Sequence, residues 1–306
     1  MISKYTFNGI TWIDLQSPTV EEVASLVDEY SIAPMVAEEF ITETVRSKVE
    51  LYNNLIYLVL HFPIDHMKKD GKTEQEIDFV VGQKFLITIH YELVNPLHEF
   101  FKKFEVRALL NKEGKDAKED HAGYLFYHII RELYRNVAKD LEALHPELKK
   151  IEQDIFGGRE KDTVRIISEA NRKLLNFKQA MRYHYEALKS FESAGKKFFE
   201  PEFIFQLEAI TGEYNKIKSA MDSYKETIVD LRETNDSLLS SKTNETMKIL
   251  TMVTFMIAPA SIIPLVFMMN SDFAVLHGPF DFYLVLVAMI STGLITFLFF
   301  KYKKWL

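Results

Sequence analysis

Asn244, Met247, Thr251, Thr254, Ala258, Ser261 and Leu265 repeat in steps of three and four, so on a helix they share one face. That face is small or polar, whereas Ile249, Leu250, Val253, Phe255, Ile257, Ile262 and Ile263 occupy the others. Carried backward, the same register passes Ser240, Ser237, Glu233, Asp230 and Glu226, and the face turns acidic. One helix cannot enclose a path. Several copies around an axis turn each position into a ring, and rings of polar side chains conduct and select ions. Small and hydroxylated residues serve close helix packing equally well, and an acidic stripe is commonly a solvated face. Spacing alone leaves both readings open.

Two apolar runs must position that face. From Ile249 to Ser271 and from Phe282 to Phe300 there is no Asp, Glu, Lys or Arg. Each run has about the twenty residues a helix needs to cross a hydrocarbon core. Lys242 and Lys248 precede the first run and Lys301, Lys303 and Lys304 follow the second, while SDFAVLHGPFD between them has no Lys or Arg. Basic residues stay on the cytoplasmic side, so both termini are expected in the cytoplasm of an inner- or plasma-membrane protein. Tyr302 and Trp305 would sit at the inner interface. MISKYTFNGITWIDL has no basic stretch leading into an apolar run, so the first span is expected to act as its own insertion signal.

Upstream, the chain reads as a soluble body. Residues to about 122 are mixed α/β, with strands expected at Ile56–Phe62, Ile77–Gly82 and Phe85–Tyr91. A helix is expected over Ser17–Tyr30 with Ser17 as its cap, and a polar turn around Gly71. From about Gly123 the spacing turns helical. One helix is expected to end at Gly157-Gly158, a second to run from about Lys161 to Gly195, and a third to start near Pro201. In that third helix Leu207, Ile210, Tyr214, Ile217, Met221, Tyr224, Ile228 and Leu231 form a heptad seam. No Gly or Pro lies between Gly212 and Pro259, which predicts one helix continuous with the first span.

Composition narrows the function further. With 47% hydrophobic and 26% charged residues and a net charge of -7, the chain fits a globular body plus a small membrane part and excludes a nucleic-acid binder. The absence of cysteine removes disulfides and thiolate metal sites. No phosphate loop, nucleophile motif or triad pattern is present, so no enzyme and no organic cofactor is expected.

SKTNETMKILTMVTFMIAP (Ser241–Pro259), the terminal KKWL and IAPMVAEEFITETVRSKVELYNNLIYLVL (Ile32–Leu60) together resemble the CorA family of divalent-cation channels, chiefly magnesium channels, over nearly the full length. The family's Gly-Met-Asn signature falls on Met268-Met269-Asn270, with Met in place of Gly. The resemblance implies an α+β membrane protein assembled as a homopentameric funnel in the lipid bilayer. Its parts would be an α/β cytoplasmic domain (1–122), cytoplasmic helices with a long stalk helix (123–248) and a pore-lining transmembrane helix (249–269). An extracytoplasmic loop (270–281), a second transmembrane helix (282–300) and a basic cytoplasmic tail (301–306) would follow.

By the same resemblance, Asn270 and Met269 receive the ion at the outer mouth and Asn244 forms the inner polar ring. Thr251, Thr254, Ala258 and Ser261 line the path between, and Met247 and Leu250 form a hydrophobic gate. Asp230 and Glu233 belong to the acidic funnel. Mg²⁺ is the transported ion and, through Asp65, Glu208 and Glu213, a regulatory one. Mg²⁺ gives up water reluctantly, so neutral oxygens that hydrogen-bond the hydrated ion suit it. Co²⁺ and Ni²⁺ are further candidate cargoes. His277, in the outer loop, is the one feature pointing to transition metals, since imidazole favours Zn²⁺ over Mg²⁺. The expected function is Mg²⁺ uptake driven by membrane potential. The alternatives are a zinc or other transition-metal transporter of the same superfamily and a non-conducting membrane sensor or scaffold.

Overall fold

The computed structural model describes residues 2–44, 46–63, 73–110, 121–268 and 280–303. Six strands form one sheet: β1 (Ile2–Phe7), β2 (Ile10–Gln16), β3 (Lys48–Leu51), β4 (Leu55–Pro63), β5 (Glu74–Gly82) and β6 (Phe85–His90). Their order is β1-β2-β6-β5-β4-β3. β2 and β6 run parallel, and every other neighbouring pair is antiparallel. Asn8 and Gly9, with φ of 49° and 74°, make the tight turn between β1 and β2; both take the left-handed backbone that a two-residue hairpin loop demands. The three strands expected at Ile56–Phe62, Ile77–Gly82 and Phe85–Tyr91 are β4, β5 and β6, and the turn around Gly71 lies outside the described residues.

β4 is buried along almost its whole length, which explains its unbroken apolar sequence. Leu55, Tyr57 and Val59 face a cluster built with α1 (Val20–Tyr30) and α2 (Pro34–Glu39), through Val23, Leu26, Val36 and Ala37, with Phe40 just beyond. The opposite face of the sheet meets α4 (Ala122–Glu142) and α7 (His184–Phe198): Phe79 of β5 stacks edge-on against Phe126, and Phe126 lies 4.6 Å from Phe191. The cap of α1 is Thr19 rather than Ser17. Thr19 and Glu22 form a reciprocal capping box, while Ser17 instead donates to the Tyr91 carbonyl at 2.6 Å. α3 (Asn95–Leu110) follows the sheet.

The expected helices are real but interrupted. The first divides at Ala143 into α4 and α5 (Leu144–Phe156), because Pro146 has no N–H for the Glu142 carbonyl and its ring crowds that group. The second divides between α6 (Glu160–Ala180) and α7. It also runs past Gly195 to Phe198. Gly195 is a packing site, not a terminator: a Cβ there would stand 2.8 Å from Leu207 Cδ1. After a short 3-10 turn at Pro201–Phe203 comes α8 (Ile204–Met268), unbroken for 65 residues. Of its heptad seam, all but Tyr224 are buried.

Two compact units result, Met1–Arg232 and Glu233–Leu306. The second contains the end of α8 and α9 (Asp281–Tyr302), with Met252 and Phe300 buried and the Phe255 and Phe300 rings 6.5 Å apart.

Candidate functional site

α8 presents the polar stripe as a continuous helical face. Asn244, Met247, Thr251, Thr254, Ser261 and Leu265 are exposed and Ala258 is half-buried; Leu250, beside them, is also exposed. Each hydroxyl on this face turns its proton inward. Thr251 donates to the Met247 carbonyl at 2.7 Å, Thr254 to Leu250 at 2.9 Å and Ser261 to Ile257 at 3.1 Å. The protons are therefore spent on the helix and oxygen lone pairs face outward. That polarity matches the shell of a hydrated cation, whose waters point hydrogens away from the metal. Backbone groups in an apolar medium must be satisfied within the helix. Pro259 and Pro264 break that rule, since neither supplies an N–H to the carbonyl four residues before it.

Asp230 and Glu233 are exposed on the same helix. Glu208 and Glu213 are not drawn to a common point with a third ligand. Glu208 lies 3.9 Å from Lys196, whose ammonium is bonded to Glu192 at 2.8 Å, and Glu213 lies 3.1 Å from Lys216. Among the described residues, no group of three or more His, Cys, Asp or Glu could hold a metal ion. Met269, Asn270, Asp65 and His277 lie outside the described residues.

Sequence reasoning passed over two buried polar groups in the first unit. His184 is fully buried: its Nδ1 accepts from the Tyr134 hydroxyl at 2.9 Å and its Nε2 donates to the His61 carbonyl at 2.7 Å. Burial pushes its pKa down to about 3, so the ring stays neutral and pins α7 to β4. Glu76 and Asp78 share one face of β5, and their alternation in EQEIDFVVG was the available signal.

A sheet backed by helices, a very long helix and a second apolar helix define a class: α8 and α9 both contain stretches long and apolar enough to cross a membrane, with almost none of either stretch buried. The chain belongs to the family described as CorA-like Mg²⁺ transporter protein, which it matches over residues 7–303. It is 24% identical over 298 residues to the cobalt/magnesium transport protein CorA of Thermotoga maritima, covering 97% of this chain and 83% of that protein. To the protein of the same name from Methanocaldococcus jannaschii it is 22% identical, covering 97% of this chain and 92% of that one. The complete structure of the Methanocaldococcus jannaschii CorA magnesium transporter superposes with a TM-score of 0.81 over 97% of this chain and 92% of that chain, at 22% identity, and so shares the fold.

Proposed function

We propose that this chain is one subunit of a cation channel that admits hydrated Mg²⁺, and by the same chemistry Co²⁺ or Ni²⁺, along the polar face of α8. The observation that carries this reading is the outward lone-pair face of Thr251, Thr254 and Ser261 on an uncharged apolar helix. Five copies around an axis turn these positions into rings. Asn270 and Met269 form the outer mouth and Asn244 the inner polar ring. We read Met268-Met269-Asn270 as the counterpart of the Gly-Met-Asn signature. Met247 and Leu250 close the path by dewetting, and Asp230 and Glu233 gather cations below it. Residues 1–122 and 123–248 are the cytoplasmic domain and its stalk, 249–269 and 282–300 the spans, 270–281 the outer loop and 301–306 the basic inner tail, with both termini cytoplasmic. A regulatory Mg²⁺ bridging neighbouring subunits would be held by Asp65, Glu208 and Glu213. A potential of about 100 mV favours each inward charge by roughly 2.3 kcal/mol, which drives a divalent ion without ATP.

The test is metal uptake by proteoliposomes of purified protein under a negative-inside potential, with internal dyes for Mg²⁺ and Zn²⁺. Voltage alone should drive Mg²⁺ in. Zn²⁺ uptake that requires a proton gradient would transfer the chain to transition-metal transport, and no flux of either ion would leave a scaffold.

A further inference from the structure

Strand β5 carries three acids on one face, Glu74 at its start, half-buried and acting on His61, and then Glu76 and Asp78 within the core. Glu76 and Asp78 are two residues apart, so both side chains point to the side covered by α1 and α2. Asp78 is 0% exposed and Glu76 is buried. Charged and titratable groups reach them from every neighbouring element. From β4, the Tyr57 hydroxyl donates to Asp78 Oδ2 at 2.8 Å, and His61 Nε2 lies 3.6 Å from Glu76 Oε2. After α2, the Thr44 N–H and hydroxyl donate to Glu76 at 2.6 and 2.9 Å. Glu39 of α2 is held by Lys48 of β3 at 2.5 Å, and Lys48 also reaches Glu50 at 3.0 Å. Tyr91, after β6, donates to the Glu39 backbone carbonyl at 3.2 Å.

The cations of this cluster are thus engaged by other acids, Lys48 by Glu39 and Glu50, His61 by Glu76. Asp78 has none among the described residues, and its Oδ1 is buried with no hydrogen-bond partner. A carboxylate in that position is disfavoured twice, by dry surroundings and by the charge on Glu76. Both raise the Asp78 carboxyl well above its ordinary range. A protonated Asp78 has no such conflict: it accepts from Tyr57 and has an O–H to offer Glu76.

We propose that Asp78 and Glu76 share one proton, and that this proton latches α2 and residues 40–44 onto the sheet, so that this corner of the first unit loosens as pH rises. Thr44 ties Glu76 to that segment, and Phe40 packs 5.9 Å from Tyr57 in the core beneath. Without the proton, two adjoining acids are charged in a dry site, and water reaches them only if the segment lifts. The folded chain binds this proton more tightly than the unfolded one. The stabilisation is therefore complete at low pH and declines as pH climbs toward the folded pKa. His61, whose pKa is raised by Glu76 and the Thr44 carbonyl against the opposing effect of burial, loses its charge in the same direction.

The test is hydrogen exchange on the full chain in detergent micelles, corrected for intrinsic rates, from mildly acidic to alkaline pH. Protection of the peptides covering α2 and residues 40–44 should fall by up to about tenfold per pH unit, the slope of a one-proton linkage. Asp78→Asn should flatten the alkaline part of that slope, and so should Glu76→Gln, which serves if the first variant does not fold. Infrared difference spectra should show a protonated carboxylic acid at neutral pH that is lost in Asp78→Asn. A flat wild-type profile, an unchanged slope in both variants, or an acid band that survives Asp78→Asn overturns the latch.

Discussion

The sheet of the first unit and the spans of the second are built from the same side chains and treat them oppositely. Leu60 of β4 is 0% exposed, whereas Ile257 of α8 is 57% and Leu265 is 61% exposed. In the central strands of the sheet the apolar side chains have helices laid on them, so water is excluded by protein. In the apolar stretches of α8 and α9 almost none is covered, and apart from the carbonyls facing Pro259 and Pro264 the backbone satisfies itself within each helix, with Thr and Ser hydroxyls folded back onto carbonyls. The difference is one of solvent. The first unit suits water outside and a packed interior; the apolar stretches of the second suit hydrocarbon outside.

Substitutions should break this contrast in a graded way. Phe79→Ala empties the buried site between β5 and α4 and should cost about 3–5 kcal/mol in denaturant unfolding of the first unit. Ile257→Ala, by comparison, should move the same transition by less than about 0.5 kcal/mol. Tyr134→Phe leaves His184 Nδ1 without its donor in a dry site and should cost about 1–3 kcal/mol. His184 also sets an acid limit. Its pKa falls from 6.5 to about 3 on folding, so its contribution is intact above 6.5 and is lost as pH drops from there toward 3. A urea titration across that window isolates this contribution as a difference: His184→Gln should lose less stability than the parent chain as pH falls, against the opposite slope from Asp78.

Thr254→Leu keeps bulk on the α8 face but removes its lone pairs. We expect about a tenfold fall in Mg²⁺ uptake, equivalent to about 1.4 kcal/mol on the barrier, with the unfolding of the first unit unchanged. Equal uptake would show that the hydroxyl face serves packing alone. Thr19→Ala removes the α1 capping box and should cost about 1 kcal/mol, read from the same unfolding curves with transport unaffected.

Where one period dominated, the residues announced their structure. β4, β5 and β6 carry dense β-branched and aromatic runs, and the helical seam from Leu207 to Leu231 passes into the stripe without a break. What stayed hidden needed tertiary information. Asn8-Gly9 is a strong hairpin signal, but the flanking β1 is too exposed to show a hydrophobic pattern. The breaks at Ala143 and near Met181 interrupt otherwise uniform helical spacing; Pro146 foretold the first, whereas the second depends on where His184 is anchored. Gly195 read as a stop because sequence does not reveal that Leu207 needs the room. Of the candidate site, the shared face was legible from spacing. The direction of its hydroxyl protons was not, nor was the pairing of Glu208 and Glu213 with lysines.

The chain contains no cysteine, so single cysteines can be placed on α8 without a background thiol. The most direct test of whether the polar face of α8 lines an ion path introduces them one at a time from position 247 to 262 and measures Mg²⁺ uptake before and after a charged, water-soluble thiol reagent. The account predicts block at 247, 251, 254, 258 and 261 and little change at 249, 253, 257 and 262. Block without that three-four period, or at none of these positions, would contradict a path lined by this face.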